Sequence, residues 1–177
     1  MTVWSDQHAK ARFNELLDAC QREGPQVVGG GCLLLDTTVV SELRRSRPHG
    51  GVVARIESVD DAELYLASVT IGEIQAGIEL GRDQDSAQAD TIDRWLDQVC
   101  NTFNILSMNG PAFRRWAQLM QRQSYILYED GMIAAIAKGQ QLTLDTRHVG
   151  DFSPFEGPLL NPFTSRAELG RSADWGD

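Results

Sequence analysis

Acidic side chains end or follow several apolar segments of the sequence, and they are the residues best suited to carry chemistry. Asp36 ends a wholly apolar run, Glu73 lies shortly after a β-like segment, and Asp130 begins a strongly apolar helical segment. Asp145 and Asp151 follow another apolar run. Because the carboxyl ends of parallel strands meet at one edge of a sheet, we expect several of these carboxylates to converge there. Each acid alone could instead cap a helix or lie on a solvated face.

Several carboxylates can share one pocket only if their mutual repulsion is offset. A divalent cation with a preference for oxygen ligands, Mg²⁺ or Mn²⁺, would offset it. Such a site activates water and stabilises the leaving oxygen in phosphodiester hydrolysis. The sequence contains no serine or cysteine nucleophile motif beside its three scattered histidines. Metal-assisted hydrolysis is therefore the reaction class that these residues favour.

Short apolar runs alternate with amphipathic segments over residues 32–163, which predicts an α/β fold with helices on both faces of a mostly parallel sheet. The run at 32–35 is apolar throughout, as in strands that are buried on both faces. The apolar stripes of the helices include Leu80 and Phe113. We predict four to five strands, at 32–35, 64–69, 103–108, 142–144 and 159–160, and long helices near 70–81, 89–99 and 129–138.

We divide the chain into an N-terminal unit at 1–28, a glycine linker at 29–31, a main domain at 32–163 and a loose tail at 164–177. The first unit contains a brief strand at 3–4, an amphipathic helix and a strand that begins at 26. The three consecutive glycines precede an apolar strand, and no Lys-Ser or Lys-Thr pair follows them. We therefore interpret them as a linker and not as a phosphate-binding loop.

The composition of the 177 residues excludes several classes of protein. No apolar run approaches 18 residues and no signal-peptide pattern is present, so we expect neither a membrane span nor export. Three cysteines at irregular spacing fit a reducing cytoplasm. The net charge of −9 argues against a protein that coats nucleic acid. All basic residues except Lys10 and Lys138 are arginines, however, and arginine can bind single phosphates through its planar fork.

Four ordered segments of the main domain resemble PIN-domain ribonucleases, specifically the VapC/FitB-type toxins of bacterial toxin–antitoxin systems. The resemblance covers roughly residues 32–163. It implies a three-layer α/β/α fold, Mg²⁺-dependent endoribonuclease activity on RNA, homodimerisation and neutralisation by a partner antitoxin. The segments that carry it are Leu33–Leu43, Leu64–Glu79, Glu129–Ala137 and Leu142–Phe152, followed by Leu159–Phe163.

The same resemblance implies a role for individual acids. Asp36, Glu73 and Asp130 would be catalytic metal ligands. His148 stands where relatives carry Asp or Asn, so we expect Asp151 to be the fourth acid, acting on the metal through water.

Three further residues are expected to bind substrate. Thr38 replaces the Asn that usually follows Asp-Thr in this family, and its hydroxyl could orient a neighbouring carboxylate. Arg44 and Arg147 could hold phosphates. A solvated helix end is the alternative explanation for the arginine cluster that contains Arg44.

Residues 2–28 resemble the start of a Phd/YefM-type antitoxin, truncated before the part that would neutralise a toxin. This segment could pack on the main domain through its helix, or pair two chains through its strand. A second function therefore stays open, that of a catalytically weakened PIN homologue that binds an antitoxin or an operator complex as a regulatory module. Thr38 and His148 favour it, whereas the acids Asp36, Glu73 and Asp130 favour an active nuclease.

Overall fold

The computed structural model of the protein describes residues 31–164 and, in addition, two short strands nearer the N-terminus. These are β1 (Val3–Trp4) and β2 (Val27–Val28), which pair in parallel with Val3 beside Val27. The strands expected in this unit are thus confirmed. The helix predicted between them, the first two linker glycines and the tail beyond residue 164 lie outside the described residues.

The main sheet consists of five parallel strands, which confirms the predicted α/β class. In space their order is β5-β4-β3-β6-β7, so the direction of winding reverses between β3 and β6. Ligand sites of such sheets lie at the carboxyl ends of the strands, at this point of reversal. The strands are β3 (Leu33–Leu35), β4 (Leu64–Ala67), β5 (Asn104–Leu106), β6 (Thr143–Asp145) and β7 (Leu159–Leu160).

Helices cover both faces of this sheet and give three layers. Side chains alternate along β3, so Leu33 and Leu35 enter one core while Leu34 enters the other. The first core also contains Val52, Ile74 and Leu96, and the second contains residues of the last long helices. The helices of residues 31–164 are α1 (Thr37–Leu43), α2 (Gly50–Glu57), α3 (Ser68–Arg82), α4 (Ser86–Thr102), α5 (Gly110–Leu119), α6 (Tyr128–Gln140) and α7 (Val149–Phe152).

Three details of the predicted elements are wrong. The strand predicted at 64–69 ends at Ala67, and helix α3 begins at Ser68 and not near 70. Glu73 therefore lies in the second turn of α3. Leu80 is 79% exposed because it lies two residues, about 200° of rotation, beyond the buried Ile78. Phe113 is 46% exposed on α5, whereas the small Ala112 faces the core.

None of the helices in the described part of the chain combines the length and the apolar character that a membrane crossing requires.

Gly51 allows a close approach between α2 and the segment after β7. A Cβ atom at Gly51 would lie 2.3 Å from the backbone oxygen of Pro162, whereas a Cβ at Gly50 would have no neighbour within 4 Å. We therefore expect Gly51→Ala to lower the free energy of unfolding by about 1–3 kcal/mol. Gly50→Ala is the matched control and should change it by less than about 0.5 kcal/mol. Urea denaturation of both variants measures the difference, and equal stability would contradict this contact.

Candidate active site

Asp36 lies at the point where the strand order reverses, between β3 and α1. Its backbone N–H donates to the carbonyl oxygen of Asp145 in β6 (2.9 Å), which fixes its position relative to both central strands. Its side chain is the N-cap of α1 and is only 4% exposed. Oδ2 accepts hydrogen bonds from the hydroxyls of Thr38 (2.7 Å) and Thr146 (2.9 Å). Asp36 is therefore a buried carboxylate held in one orientation.

Glu73 on α3 faces Asp36 across the same edge of the sheet. It accepts a hydrogen bond from the Thr37 hydroxyl. Burial is the main cause that raises the pKa of Glu73, and the negative charges of Asp36 and Glu129 raise it further, while the Thr37 hydrogen bond acts against them. These effects show that Glu73 lies in a partly desolvated pocket that other carboxylates share.

Asp130, in the first turn of α6, completes the group of inward-facing acids. Burial, followed by the negative charges of neighbouring carboxylates, raises the pKa of Asp130 to about 6. Three of the predicted site acids therefore meet at this edge of the sheet, and Glu129 adds to their field. The neighbours that raise the pKa of Asp130 are Asp36, Asp151, Glu73 and Glu129.

The loop after β6 connects Asp36 with the rim of the pocket. The Thr146 hydroxyl accepts a hydrogen bond from the backbone N–H of His148 (3.0 Å), and the Thr38 hydroxyl accepts one from that of Arg147 (3.3 Å). The Thr38 hydroxyl is thus engaged on both sides within the protein. At the rim, His148 Nδ1 lies 3.8 Å from Asp151 Oδ2, and both side chains are more than half exposed. Asp151 is therefore a peripheral acid.

Arg147 projects beside the pocket and is held from two sides. Its Nη2 lies 3.3 Å from Oε2 of the buried Glu42, and its guanidinium stacks 3.7 Å above the ring of Phe163. Glu42 also pairs with Arg45 (3.2 Å). Arg44, by contrast, is exposed at the end of α1. Of the predicted phosphate-binding arginines, Arg147 is therefore held in place by Glu42 and Phe163, and Arg44 lies at the surface.

Residue spacing did not reveal several residues that support this site. Thr37 and Thr146 hold Glu73 and Asp36, and Glu42 anchors Arg147. A threonine in a short polar segment carries no pattern that distinguishes such a role. The one available signal was that Thr37 and Thr146 each directly follow an aspartate that ends a strand or run.

The donor set fits a divalent cation that prefers oxygen ligands. In residues 31–164 no three His, Cys, Asp or Glu side chains already form a metal-binding cluster. However, every side-chain hydrogen bond described for Asp36 falls on Oδ2, so Oδ1 is available as a ligand. Burial and, after it, the charges of neighbouring acids raise the pKa values of Glu73 and Asp130, and a bound cation would offset both effects. Asp36, Glu73 and Asp130 are thus suited to hold such an ion.

The raised pKa of Asp130 predicts that its charge destabilises the metal-free fold. Because this pKa is raised from 3.8 to about 6, the folded state binds the proton more tightly than the unfolded chain. The resulting stability is fully present below about pH 4 and is lost as the pH rises through 6. Asp130→Asn keeps the group neutral, so we expect it to stabilise the protein by about 1–2 kcal/mol at pH 7 with a chelator present.

Urea denaturation between pH 4 and pH 7 measures this effect, which should shrink towards the acidic end. Asp97→Asn, at an exposed position on α4, is the matched control. An Asp130→Asn variant that is no more stable than the wild type at pH 7 would contradict the repulsion.

Known proteins match this chain over most of its main domain. Residues 33–148 match the PIN domain family. Plasmid stability protein StbB of Pseudomonas syringae pv. tomato is 33% identical over 138 residues, 74% of this chain and 98% of that protein. Toxin FitB of Neisseria gonorrhoeae is 32% identical over 143 residues, with 74% and 98% covered. VapC ribonuclease Y4jK of Sinorhizobium fredii is 30% identical over 141 residues, with 74% and 97% covered.

The fold also matches a solved structure of this group. The crystal structure of FitAcB from Neisseria gonorrhoeae superposes with a TM-score of 0.66 at 31% identity, over 75% of this chain and 99% of the matched one. The family match, three relatives covered over nearly their whole length and a shared α/β/α architecture agree. The chain therefore belongs to the PIN-domain family, together with the VapC ribonucleases and the toxin FitB.

Proposed function

We propose that this protein is a metal-dependent endoribonuclease that hydrolyses RNA phosphodiester bonds as the toxin of a type II toxin–antitoxin system. The observation that carries the proposal is the shared pocket of Asp36, Glu73 and Asp130 at the point of strand reversal, in which burial and, after it, neighbouring negative charges raise the pKa values of the last two. The names of the relatives, a toxin and a ribonuclease, support the same activity.

In this proposal Asp36, Glu73 and Asp130 hold Mg²⁺ or Mn²⁺, and Asp151 adds a fourth negative charge at the rim. When bound, such a cation lowers the pKa of a water molecule and stabilises charge on the leaving oxygen. The chain itself orients the acids: Thr38 and Thr146 fix Oδ2 of Asp36, and Thr37 fixes Glu73. These hydrogen bonds reduce the reorganisation that the carboxylates need when they bind an ion.

Arginines next to the acids would bind the substrate. Arg147 is restrained by Glu42 and Phe163, so it loses little freedom when it binds a phosphate. Arg44 is exposed directly after the end of α1 and would add a second, looser contact. This local arrangement suits a protein whose net charge of −9 disfavours extended contact with RNA.

We further propose that a cognate antitoxin and a second copy of the chain are the protein partners. The structure of FitAB bound to a DNA fragment and the structure of FitAcB each contain a chain that resembles this one. Cellular RNA as substrate makes the cytoplasm the site of action. Residues 32–163 would be the nuclease domain, and the antitoxin-like residues 1–28, joined by the linker at 29–31, a separate unit ahead of it.

The test is cleavage of a mixed RNA substrate by the purified full chain. We expect cleavage with Mg²⁺ or Mn²⁺ and none with excess chelator. Cleavage that persists in chelator would overturn the metal site. A protein that binds an antitoxin but cuts no RNA with either metal would instead be the weakened regulatory homologue.

A further inference from the structure

His148 lies at the rim of the acidic pocket, in the loop that leads from β6 into α7. Its backbone N–H donates to the Thr146 hydroxyl (3.0 Å), and the same hydroxyl donates to Oδ2 of Asp36 (2.9 Å). A single buried threonine thus links the backbone of His148 to the central carboxylate. The start of the His148 side chain is therefore fixed relative to Asp36, although its ring is more than half exposed.

The ring of His148 has two different sides. Nδ1 faces Oδ2 of Asp151 at 3.8 Å, and in the contacts described for residues 31–164 Nε2 has no partner. Asp151 is also close enough to Asp130 for its charge to raise the pKa of that residue. The pair of His148 and Asp151 therefore stands beside the acids of the pocket and not on a separate surface.

Stability does not explain this pair. Ion pairs between side chains that are more than half exposed contribute little to folding. A histidine that binds a metal through one nitrogen usually donates a hydrogen bond from the other to a carboxylate, and Asp151 lies on that side of the ring, just beyond hydrogen-bond distance. Imidazole is a poor ligand for Mg²⁺ and a good one for first-row transition metals.

We propose that His148 is a nitrogen ligand of the bound ion, with Asp151 orienting its ring, and that the site consequently prefers a first-row transition-metal dication to Mg²⁺. This inference rests on the proposed function and refines it, because the ion would be held by Asp36, Glu73, Asp130 and Nε2 of His148. Asp151 then acts on the ion through the histidine.

The test uses Mn²⁺ and the full chain without RNA, at pH 8. Electron spin echo envelope modulation of bound Mn²⁺ detects a directly coordinated ¹⁴N nucleus. We expect ¹⁴N modulation in the wild type and its loss in His148→Asp.

Calorimetric titrations with Mn²⁺ and Mg²⁺ should show that His148→Asp lowers the ratio of Mn²⁺ to Mg²⁺ affinity at least about tenfold. Asp151→Asn should weaken Mn²⁺ binding while the modulation remains.

His49→Asn is the matched control, because His49 caps α2 through Nδ1 and asparagine can accept the same hydrogen bond from Gly51. This variant should keep both the modulation and the affinity ratio. Modulation that persists in His148→Asp, or an affinity ratio that does not change, would overturn the inference. A wild type that cleaves RNA with Mg²⁺ but shows no ¹⁴N modulation would overturn it while leaving the proposed function intact. If Mn²⁺ binding and cleavage are both absent, the proposed function fails as well.

Discussion

Replacing Asp36 with asparagine is expected to lower the rate of metal-dependent RNA cleavage at least about 100-fold without unfolding the protein. Asparagine has the same shape, and its Oδ1 can still accept the hydrogen bonds of Thr38 and Thr146. It also remains a good N-cap for α1. What it removes is the negative charge that would bind the cation, so the loss should appear in cleavage and in Mn²⁺ affinity together.

Asp85→Asn is a matched control for this prediction, because Asp85 is also an N-cap. It accepts a hydrogen bond from the backbone N–H of Gln88 at the start of α4 (2.9 Å). The two variants make the same chemical change at the same kind of position, but only Asp36 lies in the acidic pocket. Equal cleavage rates in the wild type and Asp36→Asn, under conditions in which both are folded by circular dichroism, would remove Asp36 from the site.

Periodicity and strand-end acids were sufficient to predict most of this fold. The all-apolar run at 32–35 predicted the central strand. The alternation of short apolar runs with amphipathic helical segments predicted the parallel sheet that is observed. The errors concern residues whose burial cannot be decided from the helical spacing of apolar residues alone. Leu80 lies on the face of α3 opposite the buried Ile78, and Ala112 faces the core in place of the bulky Phe113. Both depend on how each helix is rotated about its axis relative to the sheet.

The acids of the site were predictable because topology brings strand ends together, whereas the groups that orient them were not. Thr146 contacts Asp36 from a residue 110 positions away in the sequence, through the register between β3 and β6. No local pattern encodes such a contact. Asp145 shows that a local pattern can also suggest a site residue wrongly. Its position after an apolar run resembles that of the site carboxylates, yet its side chain is fully buried beneath the site edge.

Breaking the buried ion pair of Asp145 is expected to lower the free energy of unfolding by about 1–2 kcal/mol for Arg55→Met at pH 7, because proton uptake by Asp145 limits the penalty of the lone carboxylate. Asp145 Oδ2 lies 2.9 Å from Arg55 Nε, while Oδ1 is buried without a hydrogen-bond partner among the described residues. Burial raises the pKa of Asp145 to about 6 and outweighs the opposing effect of Arg55. Without Arg55, the carboxylate would have no compensating charge in the core.

The pH dependence of this loss has a definite sign. A folded-state pKa above the unfolded value means that stability is present below about pH 4 and declines as the pH rises through the folded pKa. Removal of Arg55 raises that pKa further, so the penalty of Arg55→Met should be small in acid and grow as the pH rises through about 6. Urea denaturation from pH 4.5 to pH 7.5 measures it.

The double variant Arg55→Met with Asp145→Leu separates the cost of a lone buried charge from the loss of packing. Replacing both partners with apolar side chains removes the uncompensated carboxylate, and such exchanges of buried pairs are often neutral. We therefore expect the double variant to recover most of the stability at pH 7 and to lose the pH dependence. Because the backbone oxygen of Asp145 still accepts from Asp36, the site edge should keep its geometry. A double variant as unstable as Arg55→Met would mean that Arg55 contributes through packing and not through its charge.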